Sequence, residues 1–139
     1  MNGQRRQVST ELLSTYFRCI DDGQASAGAD VFAEAGELTL LEHTVQGKPT
    51  IKHALAQREA MTERITRHVI TNVTIESDGD IDRLKTTMLV FGHDGRLDDG
   101  ELPPAAVTMV VDVTAQVVHH RGKAELAALQ LQPVFGSLA

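Results

Sequence analysis

The hydrophobic rhythm of this chain changes once, near residue 66, and that change limits the folds open to it. Before it, apolar residues recur every three or four positions, the spacing of a helix face; after it, they alternate, as on a strand. From Ser9 to about Asp22 the apolar residues are Leu12, Leu13, Tyr16, Phe17 and Ile20. Ser9 or Thr10 is placed to cap the start of that helix and Gly23 to end it. A second, shorter helix is expected over about Ser26 to Glu34, with Val31 and Phe32 turned inward. Gly36 then opens a strand over Glu37 to Val45, and Gly47-Lys48-Pro49 turns into a helix from about Pro49 to Arg64. That helix carries Ile51, Ala54, Leu55, Arg58, Met61 and Ile65 along one side. Past residue 66, strands are expected over Thr66–Ser77, Ile81–His93, Ala106–His119 and Ala124–Val134. The first two join at Asp78-Gly79-Asp80 and the last two at Arg121-Gly122-Lys123. Helices grouped early and hairpin-linked strands late make an α+β fold. We expect a cone-shaped α+β barrel, with helices packed on a curved, mostly antiparallel sheet that encloses a pocket, in one domain over residues 1–139.

Composition excludes several kinds of partner. Aromatic residues are 4% of the chain, with no Trp, too few for a platform that stacks single-stranded bases. The formal charge is −6 and the Lys and Arg residues are scattered, so a phosphate backbone is repelled. No nucleic-acid partner is expected. The 42% apolar content supports a packed core. No run approaches the roughly 18 apolar residues of a membrane span, and the segment Met1-Asn2-Gly3-Gln4-Arg5-Arg6 is charged without a following apolar run. The single Cys19 makes neither an internal disulfide nor a cysteine-based zinc site. A cytoplasmic location is therefore expected, with no metal or other cofactor.

The strands suggest a self-association surface. His68 and Asn72 fall on one face of the strand after residue 66, whereas Val69, Val73 and Ile75 fall on the other. Val107, Met109, Val111, Val113, Ala115 and Val117 likewise share one face. If the polar face lines the pocket, the apolar outer face needs cover, and a homodimer through the sheet would supply it.

Three segments carry a family resemblance. They are Leu13-Ser14-Thr15-Tyr16-Phe17-Arg18-Cys19-Ile20-Asp21-Asp22-Gly23, then Gly47-Lys48-Pro49-Thr50-Ile51, then Arg67-His68-Val69-Ile70-Thr71-Asn72-Val73-Thr74-Ile75-Glu76 with Asp78-Gly79-Asp80. In this order, over about residues 8 to 134, they resemble the nuclear transport factor 2-like superfamily, and within it the SnoaL-like group of polyketide cyclases and dehydratases. The family's last strand usually contains Gly-Trp-Arg-Ile, where this chain has Gly122-Lys123-Ala124-Glu125-Leu126, so no pocket residue carries over from there.

Asp21 lies four residues after Phe17 and so shares the buried face of the first helix. Asp22 lies four after Arg18, where a surface ion pair is the natural reading. A carboxylate on an apolar face needs a partner, and an imidazole would supply one. The resemblance to scytalone dehydratase-like and bile acid dehydratase-like proteins implies that Asp21 pairs with His68. It also implies that Tyr16 polarises a substrate oxygen, and that His93 is a second catalytic histidine. His68 would then move the proton that elimination, enolisation or aldol cyclisation requires. Against this stand plainer readings: Asp21 as a helix-end cap, His68 as a strand histidine, His93 in a surface turn, and Asn72 in a structural role. His53 is expected in solvent, and His43 either there or in the pocket. His119 and His120 point to opposite faces and cannot readily share a metal. No serine triad or nucleotide fingerprint is visible, nor the Asp–Arg–Asp set of an epoxide hydrolase.

The expected function is a cofactor-independent lyase or isomerase of the dehydratase or cyclase type. Its substrate would be an apolar, oxygenated ring compound. The alternative is a non-catalytic ligand-binding or dimerisation module of the same fold.

Overall fold

A computed structural model describes residues 3–136; Met1 and Asn2, the start of the charged N-terminal segment, lie outside the described residues. The chain runs through α1 (Gly3–Asp21), a 3-10 helix (Ala25–Val31), β1 (Phe32–Leu40), β2 (His43–Gln46), α2 (Lys48–Glu59), β3 (Ile65–Asp78), β4 (Ile81–His93), β5 (Val107–His120) and β6 (Lys123–Gly136). The strands form one curved sheet in the order β2-β1-β6-β5-β4-β3. Only β1 and β6 run parallel. The architecture is α+β as expected, but β2 and β3 stay as edges, so the sheet is an open cup where a barrel was anticipated.

Helices cover the concave side. Leu13, Tyr16 and Phe17 of α1 and Ile51 and Leu55 of α2 are buried against Leu84 and Met88 of β4, Val113 and Val117 of β5, and Leu126 and Leu129 of β6. The helix spacings follow the helical period, and the β4 and β5 residues are an even number apart as a strand face requires; Leu126 and Leu129 of β6 are three apart because the β5–β6 register shifts between them.

Several boundaries moved, each for a local reason. α1 begins at Gly3, and Ser9 caps nothing: it is fully buried within the helix and donates its hydroxyl to Asp82. The helix ends where expected, at Gly23 with φ 77°; the Gly23 and Gln24 amides bond back to the Ile20 and Cys19 carbonyls. The short second helix is 3-10 and stops at Val31, so the buried Phe32 belongs to β1. The strand expected over Glu37 to Val45 is a hairpin, with Leu41 at φ 56° in its turn. Gly36 lies inside β1, where the pairing with β6 shifts register. A Cβ there would come 3.0 Å from the Ala33 carbonyl oxygen and the Phe32 ring, which explains the glycine. α2 ends at Glu59, leaving Met61 exposed.

The assignment of strand faces needs correction. The β3–β4 pairing slips between Thr71 and Thr74, and Asn72 adopts φ 53°. One extra residue there reverses the alternation. Val73 and Ile75 therefore join Ile70 against the core, while Asn72 is exposed rather than sharing a face with His68. On β5, Val111, Val113, Ala115 and Val117 face the helices and are buried. The premise that these apolar faces lie outside is thus overturned. One apolar register row does lie outside: Val69, Leu89, Val110 and Phe135 are successive partners across β3, β4, β5 and β6, with Ile65, Val107 and Val134 also exposed on these strands.

Candidate active site

Asp21 and Phe17 stand one helical turn apart at the end of α1, and together they grip His68 of β3. The Phe17 ring stacks on the imidazole with centroids 5.0 Å apart and planes inclined by 27°. The Asp21 carboxylate takes the ring nitrogen: His68 Nδ1 lies 2.6 Å from Oδ1. Oδ2 accepts the His68 backbone amide at 2.9 Å, and Oδ1 also accepts the Thr66 hydroxyl at 2.9 Å. Thr66 precedes His68 by two, so both point to the concave face.

A carboxylate at a helix C-terminus sits at the negative end of the dipole. Burial of Asp21 would also raise its pKa. The hydrogen bonds from the His68 ring, the His68 amide and Thr66 outweigh this and hold the carboxyl below its usual range. An ionised carboxylate only accepts, so His68 Nδ1 must be the donor. Nε2 is then the basic nitrogen in neutral imidazole, on a ring that lines a cavity of about 370 Å³. That volume suits a small organic molecule.

The cavity lies between the ends of the two helices and the concave face of the sheet. Met88, Val90, Met109, Val111, Leu131 and Pro133 make its apolar wall. His93, the last residue of β4, also lines it, so the structure brings together Asp21, His68 and His93. Tyr16 it places elsewhere: the ring is buried in the core, edge-on to Phe17 and Phe32, and it is not among the cavity-lining residues. Burial pushes its hydroxyl far above the ordinary phenol range.

The remaining polar residues of the cavity were not singled out from the sequence. Arg64 holds Asp94 at 2.6 and 3.1 Å, and both line the cavity. Arg58 donates to Thr66 Oγ1 at 3.3 Å, extending the chain of contacts Arg58–Thr66–Asp21–His68. Thr66 was legible from its two-residue spacing to His68, and Arg58 as a charge on an otherwise apolar stripe. Nothing local joins Arg64 to Asp94, thirty residues on.

A second His–Asp contact lies at the other end of β4. Asp82 is fully buried and accepts from Ser9 at 2.7 Å, Arg5 at 2.8 Å and Ser77 at 2.5 Å; His119 Nε2 is 3.0 Å away. Ser9 Oγ is also 2.8 Å from that same nitrogen. A serine relay needs the acid on the opposite ring nitrogen, so this cluster is an anchor for α1. His43, His53 and His120 are exposed, and Asp22 meets Arg18 through the backbone. Among the described residues no group of His, Cys, Asp and Glu could hold a metal ion, and no helix is long and apolar enough to cross a membrane.

A family model described as a SnoaL-like domain matches residues 4–128. No curated protein matches by sequence. Solved structures share the fold. One is a protein of unknown function with a cystatin-like fold from Nostoc punctiforme, at 18% identity, covering 96% of this chain and 94% of the other, with a TM-score of 0.78. A proposed scytalone dehydratase from Novosphingobium aromaticivorans gives 15%, 94%, 85% and 0.78 in the same order. ActVI-ORFA from Streptomyces coelicolor gives 14%, 95%, 98% and 0.77. At such identities the likeness is one of fold.

Proposed function

The chain belongs to the SnoaL-like domain family, and on that premise we propose that it is a cofactor-independent lyase or isomerase of the dehydratase or cyclase type. The observation that carries this reading is the 2.6 Å contact between Asp21 and His68 at the wall of an apolar cavity. In the reading, His68 Nε2 removes a proton α to a carbonyl of an oxygenated ring compound. Asp21 holds the tautomer and balances the imidazolium that forms. His93, on the same cavity wall, is the candidate for returning a proton to the leaving hydroxyl or the enolate oxygen. Tyr16, packed in the core, has no part in this scheme. The fold's likeness to a proposed scytalone dehydratase supports the reaction class. We also place residues 1–139 in one domain that pairs with a second copy through the outer row Val69, Leu89, Val110 and Phe135, of which Val69 and Phe135 are exposed.

Enolisation is the step common to these reactions, so the test needs no knowledge of the natural substrate. The protein is incubated with 1-tetralone in deuterium oxide, and exchange at the α-carbon is followed by NMR. Exchange should be faster than in buffer, and His68→Gln should return it to within about one hundredth of the catalysed increment. Exchange no faster than buffer, or unchanged in His68→Gln, would favour a ligand-binding module.

A further inference from the structure

One guanidinium on the cavity wall, that of Arg58, makes no direct ion pair among the described residues. Asp94 is taken up by Arg64, and Asp21 has its oxygens filled by Thr66 and by the ring and amide of His68. Arg58 is left with a single neutral acceptor, the Thr66 hydroxyl, at the long distance of 3.3 Å. Among the described residues it makes no ion pair within 4.0 Å. A guanidinium carries five donors in a planar fork and does not lose its charge at physiological pH. It is also half-buried on the cavity wall, where burial and the neighbouring Arg64 disfavour its charge by more than Asp21 and Asp94, neither in direct contact with it, favour it. Most of its donors are left unused at the cavity wall, where a bound anion would take them up.

We propose that Arg58 forms an anion subsite, and that the molecule taken by this cavity is an apolar ring compound bearing a carboxylate. The proposal rests on the acid–base reading of the same cavity and adds the substrate class. A planar carboxylate matches the guanidinium fork. With the carboxylate held at the end of α2, the ring lies along the apolar wall of Met88, Val111 and Leu131, which leads to His68. The overall charge of −6 does not prevent this, because exposed charges beyond about 8 Å are screened at physiological salt.

The experiment compares 1-naphthoate with the neutral 1-naphthalenemethanol, each titrated into the full-length protein by calorimetry at two salt concentrations. Wild-type protein should bind the naphthoate at least about tenfold more tightly, the worth of one charge-assisted contact. Arg58→Gln, which keeps a donor for Thr66 but not the charge, should abolish the preference, and Arg58→Lys should retain part of it. His68→Gln should keep the preference while losing α-proton exchange on neutral 1-tetralone, so loss of the acid–base reading and loss of the anion subsite give different results. Equal affinity for the two probes in wild-type protein, binding of neither, or a preference that survives Arg58→Gln would overturn the proposal.

Discussion

In the proposed scheme Asp21 acts by being unable to donate. Because three donors converge on it, the carboxylate stays ionised and dictates which nitrogen of His68 carries hydrogen. Asp21→Asn keeps the shape but turns a donor toward the ring, which reverses the tautomer and takes the free lone pair away from Nε2. Exchange on 1-tetralone should fall at least about a hundredfold in that variant, with little change in probe binding. The pairing itself was implied by the family resemblance; the Leu13–Phe17 spacing showed only that Asp21 shares the buried face of its helix and needs a partner. Arg58 was visible only as a charge on an apolar stripe, and its lack of a direct ion pair depends on how Arg64 and Asp94 pair. Tyr16, expected at the cavity, is instead drawn into the core by Phe17 and Phe32, and the i, i+4 pattern does not tell a core ring from a pocket ring.

At the scale of elements, α1 is pinned at both ends, by Asp21 to β3 and by Asp82 to its N-terminal half. Burial alone would raise Asp82, but the hydrogen bonds from Ser77, Ser9, Arg5 and His119 pull its pKa down to about 2. A folded-state pKa below the unfolded one gives stability that is complete above pH 4 and is lost as pH falls toward 2. The shift corresponds to roughly 2 kcal/mol. Asp82→Asn should therefore lower stability to urea by about that much at pH 7, with the gap closing between pH 4 and 2. A gap that stays constant down to pH 2 would show that the carboxylate's ionisation is not what anchors the helix. β4 was read from the sequence to the residue, because Leu84, Met88 and Val90 alternate without a break. The β1–β2 hairpin was not, since Leu41-Glu42 contains none of the usual turn residues, and the bulge at Asn72 leaves the composition of β3 unchanged while reversing its faces.

For the whole molecule, an open sheet under two helices and a 3-10 helix makes a cup, and the proposed pairing with a second copy uses its outer apolar row. Sedimentation at micromolar concentration should give twice the chain mass, and Val110→Lys should give a monomer that still binds 1-naphthalenemethanol. A monomeric wild type would leave the outer row without that role. In the proposed scheme the cup presents Nε2 of His68 to the cavity while Asp21 holds Nδ1. The most direct test is the ¹⁵N NMR spectrum of the imidazole side chains at pH 7 to 8, with His68 assigned by its loss in His68→Gln. The account predicts hydrogen fixed on Nδ1 of His68 and a bare Nε2. A ring protonated on Nε2, or averaging between its two tautomers, would contradict it.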